Sequence, residues 1–468
     1  MKALILDENS LYWEQKEEYQ MNKQKTLIGL LVGSALLLAA CGGGSDSDQQ
    51  DNTEGGKVLQ VSYPSWWEDW FKDLEKDFEA ANEGVDVELI PLYDDTTTKQ
   101  AIMMQSKDTA PDVAIEDTFI LNSDVNAGYL SSLDDFVNNW DDWSNIEETT
   151  KEGVKGEDGS IYGVPFSTDV QGLWYDKKIF DQAGISVPFE PTNWQDILDA
   201  AEKVHAANKE TIPLFLYATK STGEATSMRT FQVLYSGTGS ELYDWDAGKW
   251  IIDEKALTDT FTFIQDVYQN DLGPSMSVAS NSQIGTMLAE DYMQNSGVAM
   301  VIDGNWVSGS WREGRAKPWL DALDTWDFIP FPTQTGKDPK YTSMSGGWAF
   351  SIPKQADNKA LAEKFIQMAV DEEHQLGYVT QTGDMTVRTD VAKNEEYLNQ
   401  PVSNYKEAGE ILQYSHFRPA VDDYPTVSTH IQEVVESVAS GNATPEQAVK
   451  AYHAGLERIV GADNIMKK

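Results

Sequence analysis

Val58-Leu59-Gln60-Val61-Ser62-Tyr63-Pro64-Ser65-Trp66-Trp67-Glu68 is the stretch on which the fold class turns. Its first half alternates apolar and polar residues, as a half-buried strand does. Its second half opens a helix. Ser65 and Glu68 stand three apart, the spacing of a capping box in which hydroxyl and carboxylate satisfy free amides. Beyond them Trp67, Trp70, Phe71, Leu74 and Phe78 fall on one helical stripe. Trp67 lies on that stripe and is expected in the core, whereas Trp66 falls off it. A strand running directly into an amphipathic helix is the unit of an α/β fold.

The pattern repeats outward. Val85, Val87 and Leu89 alternate like a strand, and Pro111 to Ile115 reads as another. Thr192-Asn193-Trp194-Gln195 opens a helix with Trp194, Ile197, Leu198, Ala201 and Val204 on one face. Ile212 to Ala218 and Val298 to Ile302 are continuous apolar runs, as buried parallel strands tend to be. Val427, Ile431, Val434, Val435 and Val438 form a helical stripe that stops at Gly441, and Thr444-Pro445 starts a last helix.

Composition excludes several classes. The 468 residues hold 35 Lys and Arg against 77 Asp and Glu, a formal charge of −42. Phosphate binding needs clustered cations, so nucleic acid is not an expected partner. The one cysteine, Cys41, rules out disulfides within the chain, multi-cysteine zinc sites and iron–sulfur clusters. No two of the five histidines stand at metal-ligand spacing, and no phosphate-cradling glycine loop or nucleophile elbow occurs. Asp244-Trp245-Asp246-Ala247-Gly248 has the opening of a calcium loop, but its twelfth position is Lys255, so a β-turn is expected there. No metal and no cofactor is expected.

The N-terminal segment sets the compartment. Lys23 and Lys25 precede an apolar run from Leu27 to Ala40, too short to span a bilayer and suited to the core of a secretory signal. It ends Leu38-Ala39-Ala40-Cys41, which resembles a bacterial lipobox. That resemblance implies a signal peptide over 21–40, lipid attachment at Cys41 and anchorage on the extracellular face of the bacterial membrane. Residues 41–56, rich in Gly, Ser, Asp and Gln, read as a flexible tether. Residues 1–20 carry two lysines against five acids, the wrong sign for the start of a signal, and are expected to be an untranslated or spurious leader.

Lipobox, tether and α/β body together resemble the extracellular solute-binding proteins of bacterial ABC importers, in particular the maltose-binding-like group. Six segments carry the resemblance in order: Asp158 to Pro165, Gly172 to Phe180, Pro191 to Trp194, Gly297 to Trp306, Ser345 to Trp348 and Asn358 to Phe365. It implies a two-lobed fold of type II, each lobe a sheet flanked by helices, with a ligand cleft at the hinge. The matched positions put lobe one at 57–168 plus 329–356 and lobe two at 169–328 plus 357–468. The crossings then fall near 169–171, 326–331 and 355–359.

In open α/β sheets ligands bind beyond the carboxyl ends of strands. The candidates there are Trp66, Glu116, Asp117, Asn305, Trp306, Gly347 and Trp348. The resemblance adds Asp169 at the first crossing and Tyr424 as an aromatic over the ligand. A sugar needs both kinds of side chain: an aromatic ring for its C–H face and acceptors for its hydroxyl rim. The implied function is a lipid-anchored, monomeric, non-enzymatic receptor that delivers a carbohydrate to an ABC permease. A secreted glycan-cleaving enzyme that uses two of the many carboxylates, or a receptor for a peptide or polyamine, remains an alternative. Translation is expected to start at Met21. Mass spectrometry of producing cells should find no peptide from residues 1–20, and finding one would contradict this start.

Overall fold

The computed structural model describes residues 57–468 other than Asp94. The expected leader, signal peptide, Cys41 and tether lie outside the described residues. The body is two-lobed, and each lobe is a sheet covered by helices.

In the first lobe Lys57–Pro64 and Val85–Leu92 pair in parallel. A parallel bridge from Val61 to Val113 joins them to Ala114–Asp117. Gly347–Ser351 then pairs antiparallel with both Ala114–Asp117 and Val164–Thr168. Leu59, Val61 and Tyr63 face the core at alternate positions. Ser62, on the other face, is also buried, and its hydroxyl donates to Gln100 Oε1 at 2.7 Å. The expected helix forms as Glu68–Ala81 and buries Trp70, Phe71, Leu74 and Phe78. Its start differs from expectation. Ser65–Trp67 is a 3₁₀ turn, so Ser65 already lies inside the turn and its side chain caps nothing. Glu68 pairs instead with Lys72, one turn on, at 2.7 Å. The tighter turn sends Trp67 into the core and leaves Trp66 52% exposed.

The second lobe is built on four strands in the order Trp326–Ile329, Gln171–Asp176, Val298–Gly304, Ile212–Phe215. Every residue of Val298–Gly304 is buried, because both faces of this sheet are covered. Leu173, Tyr175, Leu214, Met300 and Ile302 enter one core, and Trp174, Phe215, Val298 and Val301 enter another. Asn193 caps Trp194–Ala207 by accepting from Gln195 N and Asp196 N. Thr444 and Gln447 form a reciprocal capping box at Pro445–Val460. The Asp244 region is a turn between the antiparallel strands Tyr243–Asp244 and Lys249–Ile252.

Packing divides the chain differently from the expected crossings near 326–331 and 355–359. Phe331 and Met344 bury in the second lobe, and Ser343 Oγ accepts from Gln171 N. The chain returns to the first lobe only at 345–347. Ala362, Phe365, Ile366, Tyr378, Val387 and Tyr397 all pack in the first core, with Phe365 at 5.2 Å from Phe78 and Tyr378 at 4.8 Å from Trp70. Residues 357–405 therefore belong largely with the first lobe. The final return follows, and Tyr424 to Val460 pack in the second lobe.

Two carboxyls are sealed inside the first lobe. Glu116 is 1% exposed and Asp124 4%, and one oxygen of each has no hydrogen-bond partner. Burial, with Asp124 beside it, holds Glu116 well above the usual carboxylate range, and burial pushes Asp124 up to about 6. Both groups bind protons in the folded chain that they release on unfolding above about pH 4. The stability they contribute is full below that pH and is lost as pH rises through their folded values. Glu116→Gln keeps a neutral group there at every pH. Calorimetry should show it melting above the unsubstituted protein at pH 8 and level with it at pH 4. A lower melting temperature at pH 8 would contradict this.

Candidate functional site

Between the lobes lies a cleft of about 540 Å³. That volume falls within the roughly 300–1,000 Å³ usual for small-molecule sites. The first lobe contributes Trp66, Trp67, Asp117, Ser167, Trp348 and Asp384; the second contributes Glu224, Arg229, Glu290, Asp303, Trp306 and Arg315. Asp169, at the first crossing, and Arg418 also line it.

Three indoles make a corner on the first lobe. Trp66 meets Trp348 at 5.8 Å and 71°, Trp66 meets Trp67 at 5.5 Å and 64°, and Trp67 meets Trp348 at 5.1 Å and 89°. Edge-to-face packing fixes the rings against one another, with Trp67 buried behind and Trp66 52% exposed. The second lobe is charged. Arg229 pairs with Asp303 at 3.0 Å and lies over the Trp306 ring at 4.7 Å. Asp303 also accepts from the Tyr217 hydroxyl at 2.7 Å.

Arg418 joins the two sides. Its guanidinium is 2.7 Å from Asp117 Oδ1 in the first lobe and 3.5 Å from Glu224 Oε2 in the second, and it stacks on Phe119 at 4.5 Å. Burial raises the Asp117 carboxyl, and Arg418 partly offsets this. Asp169 is pushed up to about 7 by desolvation, against the pull of Arg418 and with the charges of Asp117 and Asp384 adding to the rise. Asp384 is raised by burial while the Tyr378 hydroxyl donates to it.

Of the sequence candidates, the cleft brings together Trp66, Asp117, Asp169, Trp306 and Trp348. Four others stand away from its lining. Glu116 neighbours Asp117 on one strand, so it points to the opposite face and into the first core. Asn305 is fully buried and works as a clasp: Oδ1 accepts from Val170 N at 3.0 Å and Nδ2 donates to Gly383 O at 3.1 Å. Gly347 is required by its neighbouring strand, since a Cβ there would lie 2.5 Å from Ser167 O. Tyr424 is buried behind the cleft, where its hydroxyl donates to Glu224 Oε2 at 3.0 Å and accepts from Gln232 Nε2 at 2.8 Å. It positions a lining carboxylate and does not line the cleft itself.

The lining residues that the sequence did not single out are mainly charged. Glu224 and Arg229 sit at and within the π-helical turn Ala225–Gln232, and Glu290 in the π-helical turn Leu288–Tyr292. Such turns have no period of their own in a sequence, and they are frequent at functional sites. Arg418 follows the three-residue strand Ser415–Phe417, too short to carry an alternation.

A putative binding protein of Brucella abortus (strain 2308) is 21% identical over 448 residues, covering 95% of this chain and 99% of its own. A maltodextrin-binding protein of Bacillus subtilis (strain 168) is 22% identical over 438 residues, covering 91% and 95%. Among solved structures, a solute-binding protein of Thermotoga lettingae bound with α-D-tagatose aligns with a TM-score of 0.74 at 24% identity, over 86% of this chain and 100% of that one. The model of the bacterial extracellular solute-binding protein family matches residues 60–376, well over half of the sequence, and the chain belongs to that family.

Proposed function

We propose that the protein is the receptor of an ABC importer. It binds an oligosaccharide between its lobes and presents it to the permease, tethered to the outer face of the membrane by a lipid on Cys41. The observation that carries this reading is one cleft in which an aromatic corner faces carboxylates drawn from both lobes. A pyranose presents C–H groups on its faces and hydroxyls around its rim, so it uses both surfaces at once. The maltodextrin and tagatose ligands of the relatives are of the same chemical class. Members of the family bind their solute without converting it, which favours a receptor over the glycan-cleaving alternative.

Rough energies fit the role. A ring face that buries on the order of 80 Å² contributes about 2 kcal/mol. A hydroxyl donated to a carboxylate adds roughly 1.5–3 kcal/mol. Association and ordering offset much of the total, and a dissociation constant near 1 μM corresponds to about −8 kcal/mol. Only contacts made to both lobes stabilise the closed form.

Titration calorimetry against oligosaccharides, spermidine and short peptides tests the proposal. At least one saccharide should bind at micromolar concentration and be recovered intact after hours. Trp66→Ala and Trp306→Ala should each weaken that binding roughly tenfold or more, in line with the loss of a ring face. Binding of spermidine or peptide with no response to any saccharide would overturn the reading, and so would accumulation of reducing ends.

A further inference from the structure

The charges that line the cleft do not balance. Six carboxylates and three guanidiniums face it. Two of the guanidiniums are already held: Arg229 by Asp303, and Arg418 by Asp117 and Glu224. The third, Arg315, donates to the Gln381 carbonyl. Among the described residues no ion pair reaches Asp169, Glu290 or Asp384. Nor do the described residues contain a group of three His, Cys, Asp or Glu side chains that could take a metal ion and neutralise them.

Of the three carboxyls that no ion pair reaches, Asp169 and Asp384 are each held in place by a side-chain hydrogen bond. Asp169 stands where the chain first crosses between lobes, 3.4 Å from Gln171 Nε2. Asp384 follows the helix Glu372–Thr382 and is fixed by the Tyr378 hydroxyl. Both line the one cleft. A ligand carboxylate or phosphate entering here would lose its water beside two carboxyls, ionised at pH 8 in the case of Asp169, with Arg229 and Arg418 already paired and only Arg315 without a carboxylate partner. A hydroxyl can donate to either, and an ammonium gains from both.

We propose that the cleft sorts saccharides by charge, taking uncharged or amine-bearing sugars and turning away acidic ones, with Asp169 and Asp384 as the specificity-determining pair. This rests on the saccharide reading above and adds to it a class of sugar. The ordering of affinity is amine, then neutral, then acid.

The test uses three trisaccharides: maltotriose, cellotriose and laminaritriose. Each is compared as the neutral sugar, as the form with its primary alcohols oxidised to carboxylates, and as the 6-amino-6-deoxy form. Calorimetry is run at low ionic strength and pH 8. In each series that binds, the carboxylate form should be at least tenfold weaker than the neutral form, and the amine form tighter than both. Asp169→Asn combined with Asp384→Asn should narrow the gap between amine and carboxylate forms at least tenfold. A carboxylate form that binds as tightly as its neutral parent overturns the inference and leaves the receptor reading standing. So does a double variant that keeps the full gap. Failure of all nine sugars to bind would count against the receptor reading itself and remove the basis of this inference with it.

Discussion

A buried guanidinium must find its counter-charges within reach, and Arg418 finds one in each lobe. Asp117 ends a strand of the first sheet and Glu224 precedes a π-helical turn of the second. With Arg418 between them, the seam of the molecule is ionic where each lobe's interior is apolar. The supporting parts follow from that. Phe119 stacks on the guanidinium, and Tyr424 and Ser428 hold Glu224 by donating to it. Gly346 has no side chain because a Cβ there would fall 2.6 Å from the guanidinium.

The cleft is divided by the same logic. The first lobe offers indole faces because its strand ends and its 3₁₀ turn carry Trp66, Trp67 and Trp348 in one corner. The second offers charge because Arg229, Asp303 and Tyr217 form a network of their own at the end of Val298–Gly304. The division is one of emphasis, since Asp117 and Asp384 also stand on the first side and Trp306 on the second, so a ligand filling the cleft meets rings and acceptors from both lobes. A ligand shifts the lobes toward one arrangement only by the contacts it makes in that arrangement and not in another.

Most of the fold was legible because its signals are local. Strand alternation at 58–63, the stripe from Trp67 to Phe78 and the buried run at 298–302 each needed fewer than twenty residues to read. What escaped was long-range. The helix Lys359–Ala369 shows an apolar face in sequence, but nothing in its period says which core it enters, and it enters the first lobe. Asp117 and Glu116 are neighbours with the same chemistry, and only strand pairing decides which one faces the cleft. Trp66 and Trp306 were legible because they follow strand ends, and Trp348 because it stands beside the Gly346-Gly347 pair. Glu224, Arg229 and Arg418 were not, because π-helical turns and a three-residue strand leave no pattern. The Ser65–Glu68 pair had a helix-start signature, yet a 3₁₀ turn formed in its place.

The most direct measurement is a crystal structure of the protein with its tightest saccharide bound. The account predicts a sugar ring within about 4.5 Å of the Trp66–Trp348 corner, near van der Waals contact. The ring's hydroxyls should be donated to carboxylates from both lobes, Asp169 and Asp384 among them. A saccharide seated outside the cleft, or one touching a single lobe, would contradict it.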